Sequence, residues 1–323
     1  MHEPALRAAA FGSDPLPDPA VARGPGSPRE RLLAAIVLGA QGRYAAAATL
    51  LGALRHDGDP VTASLAASTL ASHRRQLGGH RSALALDGEA FAKVAVLRLG
   101  AEAEAAALRS GAGAGAEAAA LRPGAGTEAA ALRPEAATGR DPDGLDAPGA
   151  RADALLGLAA DNLALGRLTA ARRLAERAAA EDAGWRAEVR GGWVGAEIAL
   201  AAGQGADAVP PARRAFETAR ARGARRHTVK SGIVLAVALR AAGAPDHRKI
   251  SDDLVGNAMA TAEECELLSL SWPAALVAAD LRPGHAEEYR FRVAQVLHAV
   301  LRSADPCGRR VAGESPWVPV PGG

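Results

Sequence analysis

The densest run of ionisable side chains is residues 220–230, RARGARRHTVK, which crowds Arg220, Arg222, Arg225, Arg226, His227 and Lys230 into one stretch. Guanidinium groups at this density can hold a phosphate or a nucleic-acid backbone. They can equally sit near the end of a helix, where basic residues meet the negative pole of its dipole. No aromatic residue interleaves with them to stack on bases, so helix capping is the favoured reading and anion or nucleic-acid binding the alternative.

Signatures of catalysis are scarce. Gly111, Gly113 and Gly115 alternate with alanine, with no strand before them and no phosphate loop after them. His73 and His80 flank the Gly78-Gly79 turn without a Cys or carboxylate at ligand spacing, and read as a surface pair. Cys265 reads as a core thiol beside a solvated acidic face formed by Glu263, Glu264 and Glu266. Cys265 and Cys307 form no CxxC pair, and no GxSxG, HExxH or Walker sequence occurs. The residue types therefore point to binding, with no cofactor or metal implied; an enzyme with groups dispersed along the chain is a third reading.

Composition limits the elements that can position these groups. Hydrophobic residues make up 49% of the 323 positions but aromatics only 3%, so the core must be built from Ala, Leu and Val. Such side chains favour helices over sheets, and an all-α fold is expected. A net charge of +2 gives no global argument for nucleic acid or an anionic membrane. With only three lysines among 38 basic residues, the arginine and alanine excess reflects a GC-rich genome. The proline-bearing start lacks an apolar leader, and no run reaches the roughly 18 apolar residues that span a bilayer, so a cytoplasmic protein without a membrane partner is expected.

Six glycines, Gly42, Gly78, Gly166, Gly203, Gly243 and Gly284, each separate two Ala- and Leu-rich runs, at spacings of 36, 88, 37, 40 and 41 residues. That rhythm predicts stacked helical hairpins, in which neighbouring units supply one another's core. Ser27-Pro28-Arg29-Glu30 predicts the first helix start, with Ser27 as N-cap and Glu30 completing a capping box. The 88-residue gap holds an insertion in which EAAALR recurs at 104–109, 117–122 and 128–133. Such a segment buries too little apolar area to offset roughly 1–2 kcal/mol of backbone entropy per residue, and is expected to be disordered.

The layout is then a flexible Pro-rich arm (1–27), irregular beyond a turn of helix near Ala5 to Phe11, two hairpins (28–98), the Ala/Gly-rich insertion (99–150), four further hairpins (151–303) and an extended Pro-rich tail (304–323). Between the Gly203 and Gly243 landmarks, a helix over 210–222 is expected, after a turn carrying extra residues through Pro211.

Ala35, Gly42, Tyr44 and Ala47, with Pro60 beyond, resemble the tetratricopeptide repeat, as do Ala71, Gly78 and Ala83 in the second unit and Ala159, Gly166 and Ala171 in the third. The alternation is also similar to the helical-repeat sensor portions of bacterial transcription activators. The resemblance implies an α-solenoid of about six antiparallel hairpins with a concave groove lined by the first helix of each unit. In that family the groove residues precede the turn glycine by 13, 10, 6, 3 and 2 positions. Counting back from Gly203 gives Arg190, Trp193 and Glu197, and counting back from Gly243 gives Lys230 and Arg240. The same count places Ser68, Ser72 and Arg75 in unit two and Asp153, Leu156 and Ala160 in unit three. The implied function is a non-enzymatic scaffold or adaptor that binds a protein or peptide in the groove. The alternative is a regulatory sensor binding a small ligand or nucleic acid.

Overall fold

Alanine-rich helices can approach closely, and the computed structural model, which describes residues 3–14, 26–115, 140–181 and 184–319, is all-α, with no strand among them. The helices are α1 (Glu3–Phe11), α2 (Pro28–Ala40), α3 (Tyr44–Leu54), α4 (Pro60–Gln76), α5 (His80–Gly115), α6 (Ala147–Ala164) and α7 (Leu168–Ala179). They continue with α8 (Gly184–Ala201), α9 (Gly205–Ala221), α10 (Arg225–Ala242), α11 (His247–Glu264), α12 (Leu268–Leu281), α13 (Ala286–Arg302) and α14 (Pro306–Glu314).

Neighbours in sequence pack in pairs: α2 on α3, α4 on α5, α6 on α7, α8 on α9, α10 on α11 and α12 on α13. A second set of contacts runs between alternate helices, from α2 through α4, α6, α8 and α10 to α12, and returns from α12 to α2. The circuit is sealed at the seam. Ala45 N–H donates to the Ser303 carbonyl at 2.8 Å, and Tyr44 and Leu77 share a buried cluster with Trp272, Leu297 and Val300.

Local signals act as expected at several ends. Ser27 Oγ accepts from Glu30 N–H at 3.2 Å while Glu30 Oε2 accepts from Ser27 N–H at 2.9 Å, which is the capping box, with Pro28 opening α2. Gly42, Gly78, Gly166, Gly203 and Gly243 all have φ of 72–75°, the left-handed conformation that ends a helix without a Cβ clash. Gly284 does not; it lies in a short 3-10 turn over Pro283–His285. Between α11 and α12 the left-handed position falls to Glu266, at φ 50°.

Four expectations need correction. The expected arm contains α1, which buries Leu6, Ala9, Ala10 and Phe11, an apolar stripe spaced to pack on one face. The expected insertion starts late, because α5 runs on through the first EAAALR to Gly115: Ala, Glu, Leu and Arg propagate a helix that Leu97 has already nucleated. The second and third EAAALR segments lie outside the described residues. The insertion also ends early. Asp141 takes charge-assisted bonds from Arg7 Nη2 at 2.6 Å and Arg29 Nη1 at 2.7 Å; against the raising effect of burial, Arg7 and the backbone N–H groups of Leu145 and Asp143 hold its carboxyl down at about 2.

The third correction is the tail, which forms α14, opened by Asp305 Oδ1 accepting from Gly308 N–H at 3.1 Å. The fourth is α9, which starts at Gly205 and carries Pro210 and Pro211 inside it. Gly192 lets α8 approach the α9 backbone at this point, since a Cβ there would lie 2.6 Å from the Pro211 carbonyl oxygen. No helix among the described residues is long and apolar enough to cross a membrane.

Candidate functional site

The circuit of alternate helices encloses a cavity of about 620 Å³, lined by side chains of α2, α4, α6, α8, α10 and α12. Its floor is Phe11 of α1, only 6% exposed, which Arg225 N–H holds by donating to the Gly12 carbonyl at 3.0 Å. Its rim includes Trp317, 63% exposed, from the segment after α14. The cavity therefore runs from an aromatic interior to a solvent-facing edge.

Aromatic rings shape the deep end. His227 stacks on Trp193 at 5.8 Å between centroids, meets Trp185 edge-on at 5.0 Å and lies 6.2 Å from Phe11. Trp193 Nε1 donates to Ser231 Oγ at 2.8 Å, which fixes the ring. Arg186 caps the Phe11 ring at 4.7 Å, and Lys230 Nζ lies 5.8 Å from the Trp193 centroid. On the opposite wall His73 packs on Tyr44 at 5.3 Å, and Tyr44 OH donates to Gln76 Oε1 at 2.6 Å. The His73 ring fits between α2 and α4 only because residue 39 is glycine; a Cβ there would collide with its Nε2.

Charges are arranged in pairs, with one exception. Arg186 and Arg190, four residues apart on α8, both bind Asp153 of α6, and Arg186 Nη1 donates to the Asp143 carbonyl at 2.6 Å. Arg75 of α4 binds the fully buried Asp87 and, at 2.9 Å, the fully buried Asp161. Asp161 also faces His80 Nδ1 at 3.1 Å, and Ser68 Oγ donates to Asp87 at 2.7 Å. A Cβ at residue 157 would overlap the Asp87 carboxyl, so Gly157 makes room for it. Lys230 and Glu197 pair at 3.4 Å, each about one-third exposed. Arg226 is the exception: it lines the cavity, and among the described residues no carboxylate lies within ion-pair distance.

That imbalance perturbs its neighbours. Burial, reinforced by Arg186 and Arg190, lowers the Arg226 pKa to about 10. Burial, with Arg226 and Arg74 adding repulsion and Asp305 opposing it, pushes His73 down to about 3. His227 is held well below its ordinary value by burial and then by Arg226, Arg186 and Arg190. Both imidazoles are therefore neutral at physiological pH. Four buried polar atoms on cavity-lining residues have no hydrogen-bond partner in the protein: His73 Nδ1, His227 Nδ1, Ser269 Oγ and Trp272 Nε1.

The structure brings Arg190, Trp193, Glu197 and Lys230 onto one wall. Ser68, Ser72 and Arg75 join them from α4, and Asp153, Leu156 and Ala160 from α6. Arg240 does not belong; it sits in the last turn of α10, beyond the lining. The basic run divides. Arg226 and His227 face the cavity, whereas Arg220 and Arg222 are exposed and Arg225 turns to Glu264 at 3.3 Å.

The histidines overturn their expected placement. His73 is 2% exposed in the interior, and His80 lines the cavity against Asp161. Arg186 and Trp272 were not singled out by the sequence. Arg186 carries a readable signal, since 186, 190, 193 and 197 recur at helical spacing on α8. Trp272 carries none, because Gly284 lies in a 3-10 turn and is not left-handed, and counting back from it falls on Ser271 and Ala274. No group of three His, Cys, Asp or Glu residues that could hold a metal ion occurs among the described residues. No protein-family model and no curated protein matches this chain, so the site is interpreted from its geometry.

Proposed function

We propose that the protein is a small-molecule-binding sensor built on a tetratricopeptide-like solenoid of six hairpins that curls into a ring and receives its ligand inside. The single observation behind this reading is the interior cavity. About 620 Å³ falls within the range of small-ligand sites and is too confined for a folded partner. Aromatic faces with a few convergent polar groups are the usual chemistry of such sites. A peptide scaffold would need an open concave groove, and the seam between α12 and α2 works against one. Nucleic acid is disfavoured too, because the basic run splits between interior and surface.

The test is to purify the protein, denature it and identify stoichiometric small molecules released from wild type and from Ala160→Trp, which fills the cavity wall. A small molecule present in wild type and lost from the variant supports the sensor. A protein or peptide partner that binds both forms equally would favour the scaffold instead.

A further inference from the structure

We infer that the ligand of this cavity is a small organic anion, whose carboxylate or phosphate sits against Arg226 while its apolar body lies on the aromatic floor formed by Trp193 and Phe11. This rests on the sensor reading and adds to it the chemical class of the ligand.

Three independent observations converge. The first is charge. The cavity cations Arg75, Arg186, Arg190, Arg226 and Lys230 have four carboxylate partners, Asp87, Asp153, Asp161 and Glu197, so one positive charge is uncompensated. Arg186 and Arg190 share Asp153 and Arg75 holds two carboxylates, so Arg226 is the one cation of the five with no carboxylate within ion-pair distance. Arg226 is half-buried and faces the cavity with no counter-ion, and an oxyanion is the natural complement of such a guanidinium.

The second observation is the set of unpartnered atoms. Trp272 Nε1 is a donor only, Ser269 Oγ can donate, and each neutral imidazole can place its proton on Nδ1. His73 and Trp272 are 2% and 6% exposed, and His227 and Ser269 are 5% and 1% exposed, so bulk water does not reach them freely. All four atoms are shielded from the cavity surface, so a ligand oxygen would reach them only after small side-chain shifts; Trp272 Nε1–H alone is restricted to donating, and Arg226, which lines the cavity, sets the charge of the ligand.

The third is the electrostatic grouping. Arg186 and Arg190 of α8, Arg226 and His227 of α10 and His73 of α4 all line the one cavity. The groups therefore form one cluster spanning α4, α8 and α10 in place of scattered surface charge.

The experiment uses two fluorescent probes of one skeleton, anilinonaphthalene sulfonate and the uncharged phenylnaphthylamine, titrated into the full chain and followed by tryptophan quenching and probe emission. The sulfonate is expected to bind one-to-one, about tenfold to a hundredfold more tightly than the neutral probe. Arg226→Met should erase that preference while raising the melting temperature, and Arg226→Lys should restore much of it. Ala160→Trp should weaken both probes.

Displacement by naphthoate or naphthyl phosphate then tells a carboxylate site from a phosphate site. Equal affinity for both probes, unchanged in Arg226→Met, would overturn the anion inference yet leave the sensor reading standing. Saturable binding of neither probe would overturn both. A lower melting temperature or failure to fold in Arg226→Met would make Arg226 a structural group and overturn the inference as well.

Discussion

The helices that line the cavity and those packed outside them use the same residue types to opposite ends. On α8, Arg186 and Arg190 are drawn into the interior and share Asp153, with aromatic rings close by. On the outer helices, Arg290 pairs with Glu287 and Arg292 with Glu263 in the open, where solvent screens each pair. Outer helices such as α7 and α9 bury little beyond alanines, Ala171 and Ala178 on one and Ala208, Ala212, Ala215 and Ala219 on the other. The inner α10 instead buries ten residues, from His227 to Leu239, around most of its circumference. The difference shows that interior charge here is a specification. A fold that needed only stability would fill the space with leucine, as replacing buried ion pairs by apolar residues is often neutral or better.

Breaking the interior arrangement should give the largest effect. Asp153→Ala leaves Arg186 and Arg190 buried without their partner, and is expected to destabilise by about 3–5 kcal/mol, read from the urea midpoint. A loss below about 1 kcal/mol would mean that the inner charges are solvated like the outer ones. Gly39→Ala comes next. Its methyl must displace the His73 ring, with an expected loss of about 1–3 kcal/mol in the same assay, and His73→Ala in the same chain should relieve part of the clash.

Acid sharpens the comparison further. His73 titrates at about 3 in the folded protein against 6.5 when unfolded, so the unfolded state takes up the proton first. Stability should therefore fall as pH drops below about 6.5 and keep falling until about 3, with a contribution near 2 kcal/mol already lost at pH 5. Comparing urea midpoints at pH 7 and pH 5 checks this: His73→Gln should lose less than wild type, and parallel losses would refute the assignment. The smallest effect belongs outside. Arg292→Ala should shift stability by no more than about 0.5 kcal/mol, and a larger change would erase the distinction between the two layers.

Much of this architecture was legible in residue order because it is local. Ser27, Pro28 and Glu30 announce a helix start by chemistry contained within four residues, and five of the turn glycines mark where the backbone must go left-handed. Counting back from those glycines reached Arg190, Trp193, Glu197 and Lys230 because helical phase is carried along the chain without tertiary help. Arg240 exceeded that logic: the wall ends before the helix does.

What stayed hidden is set by distance in sequence. Nothing near Tyr44 says that Trp272 and Val300 will pack beside it, and nothing near Asp141 says that Arg7 lies against it. Nor does the run around Arg226 reveal that its carboxylate partners have all been taken by other cations. The sequence points to no more than a turn of helix where α1 forms, and α14 escaped, because prolines dominate their surroundings while their own apolar stripes span only two turns.

The return of α12 to α2 has a consequence for how the molecule comes apart. Linear helical arrays fray from their ends, since each terminal unit has only one neighbour to lose. Here the seam gives the last helices a second set of neighbours near the start of the chain, through Ala45 and Ser303 and through Arg74 of α4 and Asp305, 2.7 Å apart. Cutting the chain before α12 would then not simply remove the last helix pair. It would unclasp a hoop, converting a single concerted melting step into progressive unravelling from two new ends.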